Sequence, residues 1–307
     1  MTFTRAAAGP VLAAALMLLT GCSGTGQRAA GAPAATSAAV APRPLTEAEQ
    51  LRVTDAQQRL IQRCMARHGF SYWPVGQTSL EESRTHGYVS DDVTWAGKHG
   101  YGGLIRTKEE RARRTNPNIA HRQGLTPERR AAYDKALDQG VDAPVLTAEL
   151  PGGGTVRKRV GGCVADAERQ LYGDPQVWFR AEKTAMSLQP LYVPKIIADP
   201  GFQKALSAWK QCMKRAGHPY PDPPAARRAA EQRAARTTPE KAFPAERELA
   251  VADAGCARRS SLRTVGKERE AHYVAQLRGQ YGEALDTYAR LRLRALARAA
   301  DVVAPRA

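Results

Sequence analysis

The sequence has no apolar run long enough to cross a bilayer as a helix, which takes about 20 residues. Its longest such stretch, Ala6 to Leu19, is interrupted by Gly9 and Pro10. It has no nucleophile elbow, no phosphate-cradling glycine loop and no HExxH zinc motif, so the common signatures of hydrolases, nucleotide enzymes and zincins are missing. It has no CxxC, and no closely spaced Cys/His pair that is matched by a second such pair, which removes the usual spacing of structural zinc and of thioredoxin-like redox motifs. Acidic residues are also short, with 30 Asp+Glu against 46 Lys+Arg and a formal net charge of +16.

What is present begins with a secretory layout. Arg5 precedes the apolar run, and small residues precede Cys22. The stretch Leu19-Thr20-Gly21-Cys22 resembles the lipobox of bacterial lipoproteins at all four positions. The resemblance implies cleavage before Cys22 and attachment of a diacylglycerol to its thiol. Two or three acyl chains, at about 0.8 kcal/mol per buried methylene, hold a protein durably to a membrane. The expected location is the outer face of the cell membrane, with the lipid anchor as the membrane contact.

Residues 1–21 then form the signal, and 22–44 a tether. The tether is rich in Ala, Pro, Ser and Gly, and Val40 is its one large apolar residue. Such a segment cannot bury enough surface to offset its ordering entropy. The signal holds one basic and no acidic residue, so the remainder carries 45 basic against 30 acidic residues, a net of +15. A basic exported chain fits anionic lipid headgroups, an anionic wall polymer or another envelope protein as partner. Nucleic acid is not expected at that location.

From Leu45 the pattern is helical. Thr46 and Glu49 form a capping box, and Leu51, Val53, Ala56, Leu60, Ile61, Cys64 and Met65 fall mostly at three- and four-residue spacing up to Gly69. Residues 71–125 hold Trp73, Tyr88, Trp95 and Tyr101 among glycines and polar residues, which suggests an irregular ordered lobe. Thr126-Pro127, Asp174-Pro175 and Asp199-Pro200 each place a cap before a first-turn proline. Val145 to Val160, around Pro151-Gly152-Gly153-Gly154, reads as one β-hairpin. An Ala/Arg-rich helix is expected over 225–236. A long helical pattern follows from Pro239 or Pro244 toward Ala300, with Gly266, Gly279 and Gly282 as candidate breaks. The expected fold class is mainly α, a disulfide-stapled helical body with an internal duplication and one small hairpin. Its halves span 45–173 and 174–307.

The duplication rests on "QRCMARHGF" (62–70) and "KQCMKRAGH" (210–218), each followed later by Gly-Cys, at Gly162-Cys163 and Gly255-Cys256. Apart from Cys22, four cysteines remain, an even number in an exported chain, which argues for two disulfides. Three connectivities are possible. The expected pairs are Cys64 with Cys163 and Cys212 with Cys256, each joining the end of one helix to the start of a later one. Metal ligation and redox chemistry are the rival readings, and neither has its usual spacing here. Met65 and Met213 read as gap-filling core residues.

The paired Cys-Met helices, Trp209, "GGCVADAERQLYG" (161–173) and "AVADAGC" (250–256) resemble a group of uncharacterised exported proteins and lipoproteins of high-GC Gram-positive bacteria. That resemblance implies no activity.

Other candidates are weaker. His68-Gly69-Phe70, His86-Gly87-Tyr88 and His99-Gly100-Tyr101 form a triple that could build an acid–base or metal site, or merely end helices and turns. Glu81-Glu82 and Asp91-Asp92 are paired carboxylates, and Glu268, Glu270 and His272 share a helix. No catalytic residue, metal ligand or cofactor is assigned. The leading expectation is a non-catalytic, lipid-anchored binding or structural module of the cell envelope. A cell-wall or extracellular hydrolase with an unrecognised site is one alternative, and an electrostatic binder of anionic wall polymer is another.

Overall fold

The computed structural model describes residues 43–303 except 76–78 and 85–86. The lipobox, Cys22, most of the tether and His86 lie outside the described residues. The described residues fall in one compact unit. Its described elements are mainly helical, with one two-stranded antiparallel sheet.

Helix α1 (Glu47–Arg67) opens on the expected capping box, with Thr46 and Glu49 satisfying each other's backbone N–H. Short helices α2 (Val93–His99), α3 (Gly103–Arg114) and α4 (Pro117–Gly124) then occupy a stretch whose pattern promised irregular structure. Their apolar positions are too few to show a period, and α3 buries no residue at all. Helix α5 (Pro127–Asp138) leads into β1 (Val145–Glu149) and β2 (Thr155–Arg159), paired Val145 to Arg159 as a hairpin. Helices α6 (Gly162–Tyr172), α7 (Pro175–Met186), α8 (Gln189–Ala198), α9 (Pro200–Arg215) and α10 (Pro223–Ala235) follow. Helix α8 was not apparent in the sequence, because Pro190 and Pro194 lie within it.

The long C-terminal pattern is two helices, α11 (Pro239–Arg259) and α12 (Leu262–Val303). The break falls at Ser260-Ser261, where Ser261 takes φ of 55°, and not at a glycine. Gly266, Gly279 and Gly282 all lie inside α12. Gly266 faces the Phe202 ring, which a β-carbon there would meet at 3.5 Å, an ordinary contact, so packing does not demand glycine at this position.

Two main hydrophobic cores result, beside a small cluster of Ala96, Ala250 and Ala254. The first gathers Val53, Leu60 and Met65 of α1, Tyr133 of α5, Leu171 of α6 and Trp178 of α7. Leu291, Ala295 and Ala299 near the end of α12 complete it. The second gathers Phe202, Leu206, Trp209 and Met213 of α9 with Ala226 of α10, Leu249 and Ala257 of α11 and Leu262 of α12. Val89, from the first half of the chain, belongs to this second core. The boundary at 173/174 therefore does not separate the cores. Helix α12, with 42 residues, reaches from one to the other; at 1.5 Å per residue it is about 63 Å long.

The repeated Cys-Met-x-x-x-Gly is the same helix end made twice. Gly69 and Gly217 take φ of 75° and 82°. Phe70 N–H donates to Met65 O at 3.0 Å, and His218 N–H to Met213 O at 2.9 Å. Gly69 N–H donates to Ala66 O and Gly217 N–H to Lys214 O, at 3.0 and 3.1 Å. Each set is a Schellman cap, whose left-handed residue needs glycine.

The disulfides are Cys64–Cys163, with Cα atoms 5.5 Å apart, and Cys212–Cys256, at 5.6 Å. The second does not have the expected placement. Cys163 is the second residue of α6, whereas Cys256 lies in the last turns of α11. Gly162 has a left-handed φ of 54° at a helix start, while Gly255 is an ordinary helical residue, so the two Gly-Cys pairs do different jobs. The Trp209–Asp253 hydrogen bond and the Cys212–Cys256 bond are both rungs between α9 and α11, each advancing three residues. Along this contact the two helices therefore run in the same direction.

Candidate functional site

The described surface has one cleft in which buried polar groups converge. It lies where α2 and α3 meet α10 and α11, with a volume of about 400 Å³. Trp95, Tyr101, Arg106, Arg227, Glu231 and Asp253 are among its lining residues.

Glu246 fixes one wall. It is 4 % exposed, and its Oε1 accepts from the backbone N–H groups of Tyr101 (2.8 Å) and Gly103 (2.9 Å). Helix α3 has no side-chain cap of its own, so α11 supplies one. Glycine is required at the contact, since a β-carbon on Gly103 would lie 2.3 Å from Glu246 Oε2.

Asp253 fixes the other wall. It is 2 % exposed and accepts from Trp209 Nε1 at 2.9 Å and from the Tyr101 hydroxyl at 3.0 Å. Burial disfavours its charged form and outweighs those two hydrogen bonds, so its carboxyl is pushed up to about 6. Burial, with the Asp253 charge beside it, also holds the Tyr101 phenol well above its ordinary value. The cations are engaged as well. Arg227 donates to the Gly87 and Tyr88 carbonyls and lies over the Tyr101 ring, and Arg106 donates to Tyr101 O and pairs with Glu231 at 3.5 Å.

The sequence-marked candidates are dispersed. His68 lies with Cys64 and Cys163, the three ligand atoms being within 4.8 Å of one another, but the two sulfurs are bonded to each other and offer no thiolate. His99 contacts the Glu81 carboxylate at 3.2 Å, and its ring lies 4.9 Å from that of Trp95, tilted by 41°. His68 and His99 thus serve different surroundings. Asp92 caps α2, and Asp91 pairs with Arg263 at 2.9 Å. Glu82 pairs with Lys108 at 2.7 Å, Glu270 accepts from the Tyr192 hydroxyl, and His272 contacts Gln276. These groups are spent on holding elements together.

Glu246 and Asp253 were not singled out from the sequence. The available signal was a carboxylate inside the small-residue run "AVADAGC", three residues before a cysteine and hence on the same helix face.

Comparison of the chain with protein-family profiles, with curated proteins and with solved structures finds no match.

Proposed function

We propose that this is a lipid-anchored protein of the cell envelope, held on the outer face of the membrane through Cys22, whose stapled helical body acts as a non-catalytic binding or structural module. The observation that carries the reading is the order of its parts: a lipobox at Leu19–Cys22, a Pro/Ala-rich tether, then a body fixed by two disulfides. Disulfides suit an oxidising, exported setting. The cleft beside α2, α3, α10 and α11 is the binding surface in this reading. Its buried acid supports a structural role, because both Asp253 oxygens already accept hydrogen bonds from the protein itself. A general acid or base must instead be free to reach a substrate proton.

The test is membrane fractionation of the full-length chain and its Cys22→Ala variant. The wild type should sediment with membranes, resist salt extraction and partition into detergent. The variant should be released from the membrane or mislocalised. Equal partitioning of both would overturn the anchor.

A second reading, direct binding to an anionic polymer, is favoured by α3. That helix buries no residue and ends in Arg111, Arg113 and Arg114. Here binding to an anionic wall polymer should weaken steeply between low and high salt. Binding that salt leaves unchanged would remove this reading.

A further inference from the structure

The two disulfides have the same closing geometry and opposite surroundings. Arg259 reaches both sulfurs of the second bond. Its Nη2 lies 3.0 Å from Cys212 Sγ and 3.3 Å from Cys256 Sγ, and its Nε lies 3.3 Å from Cys212 Sγ. At the first bond a carboxylate stands near the sulfur instead, Asp166 Oδ2 lying 3.9 Å from Cys64 Sγ.

Opening a disulfide by a thiolate leaves negative charge on the departing sulfur. A fixed cation stabilises that charge, and a carboxylate opposes it. Arginine suits this role because it stays protonated. Access points the same way. Cys212 is 7 % exposed, against 2 % for Cys64, while Cys163 and Cys256 are fully buried.

Three features oppose this ordering, and all are weaker. A ring nitrogen of His68 lies within 4.8 Å of both Cys64 Sγ and Cys163 Sγ, but an imidazole carries charge only when protonated, whereas Arg259 stays charged. Cys163 sits in the first turn of α6, where the helix dipole presents about half a positive charge. Asp166, just past that turn and 3.9 Å from Cys64 Sγ, offsets it. Cys212 and Cys256 lie near helix C-termini, whose partial negative charge is again about half a unit, against the full charge of Arg259 in contact.

We propose that Cys212–Cys256 is a thiol–disulfide exchange site for a dithiol reductant, entered at Cys212, and that Cys64–Cys163 is the inert structural staple. A thiolate of the dithiol attacks Cys212 Sγ. The S–S bond breaks, and its electron pair leaves on Cys256, beside Arg259. The second thiol of the reductant, as thiolate, then attacks the reductant's own sulfur in the mixed disulfide. Cys212 departs as thiolate, again beside Arg259. The reductant ends as an intramolecular disulfide, the protein has gained two electrons, and its two sulfurs take protons from solvent.

The experiment uses the full-length chain in detergent, native, with dithiothreitol as the probe. Samples are quenched over time with an alkylating agent, and each cysteine is quantified by peptide mass spectrometry. Cys212 and Cys256 should be alkylated together and first, several-fold faster than Cys64 and Cys163. Arg259→Met should remove most of that difference, and Arg259→Lys should restore part of it. Equal rates, or earlier opening of Cys64–Cys163, would overturn the proposal on the wild type alone. Unchanged Cys212 labelling in an Arg259→Met protein with wild-type helicity would overturn the role of Arg259. Peptide-level counting keeps Cys22 separate, so failure of the anchor reading leaves this result intact.

Discussion

Asp253 is where one residue does the most. It ties α9 to the α2–α3 turn by accepting from Trp209 and Tyr101. Its folded-state value, about 6, lies above the ordinary 3.8. Stability from this group is therefore fully present below about pH 3.8 and lost as pH rises through about 6. A shift of that size corresponds to roughly 3 kcal/mol as an upper order of magnitude. Urea midpoints of wild type and Asp253→Asn at pH 4.5 and 7.5 isolate the effect from other carboxylates. Wild type should lose more stability than the variant on going to pH 7.5. Asp253→Ala should cost about 2–4 kcal/mol at pH 4.5, because it strands a buried indole N–H and hydroxyl, and less at pH 7.5, where it also removes the buried charge. Little of this was legible in advance. A carboxylate's partners come from Tyr101, 152 residues away, and Trp209, 44 away, and such pairings leave no local pattern.

At the scale of elements, the sequence was most readable where the physics is local. The caps at Thr46, Thr126, Asp174 and Asp199 act as their spacing implied, each side chain accepting from a first-turn N–H. So does the doubled Schellman end. A β-carbon at Gly69 or Gly217 would meet nothing within 4 Å, and the only obstacle is the positive φ. Gly69→Ala and Gly217→Ala should therefore each cost about 1 kcal/mol, and equally, by chemical denaturation. A large inequality would show that the two ends are not equivalent. Reading failed where packing overrides local preference. Helix α8 carries an internal proline, α12 runs through three glycines, and α11 stops at a serine. The placement of Cys256 failed for the same reason. A Gly-Cys pair looks alike in sequence at the start of α6 and near the end of α11.

Across the whole molecule, the sequential halves are interlocked. The first core depends on the last turns of α12, more than 200 residues after α1, through Leu291, Ala295 and Ala299. A chain ending after Arg290 should lose amide-exchange protection in α1 and α6 first, while α9 and α11 keep most of theirs. Uniform loss would mean that the two cores unfold as one. The staples close loops of 99 and 44 residues, which the chain-entropy model values at about 4–5 and about 4 kcal/mol. Charge, helicity and cysteine parity were readable at this scale. The sharing of α12 between cores was not, because its apolar residues show only that it is buried somewhere.

The two staples also set the path that tension takes. Pull the N-terminal end of the body against its C-terminal helix, and the load runs along α1 to Cys64. There it crosses to Cys163, continues to Cys212, crosses again to Cys256 and enters α12. Residues 65–162 and 213–255 are bypassed. All the cleft's lining residues fall inside those two slack loops. A pull on the body would therefore leave the cleft unloaded while both bonds are closed. Opening Cys212–Cys256 would place α10 and α11, one of its walls, in series with the force.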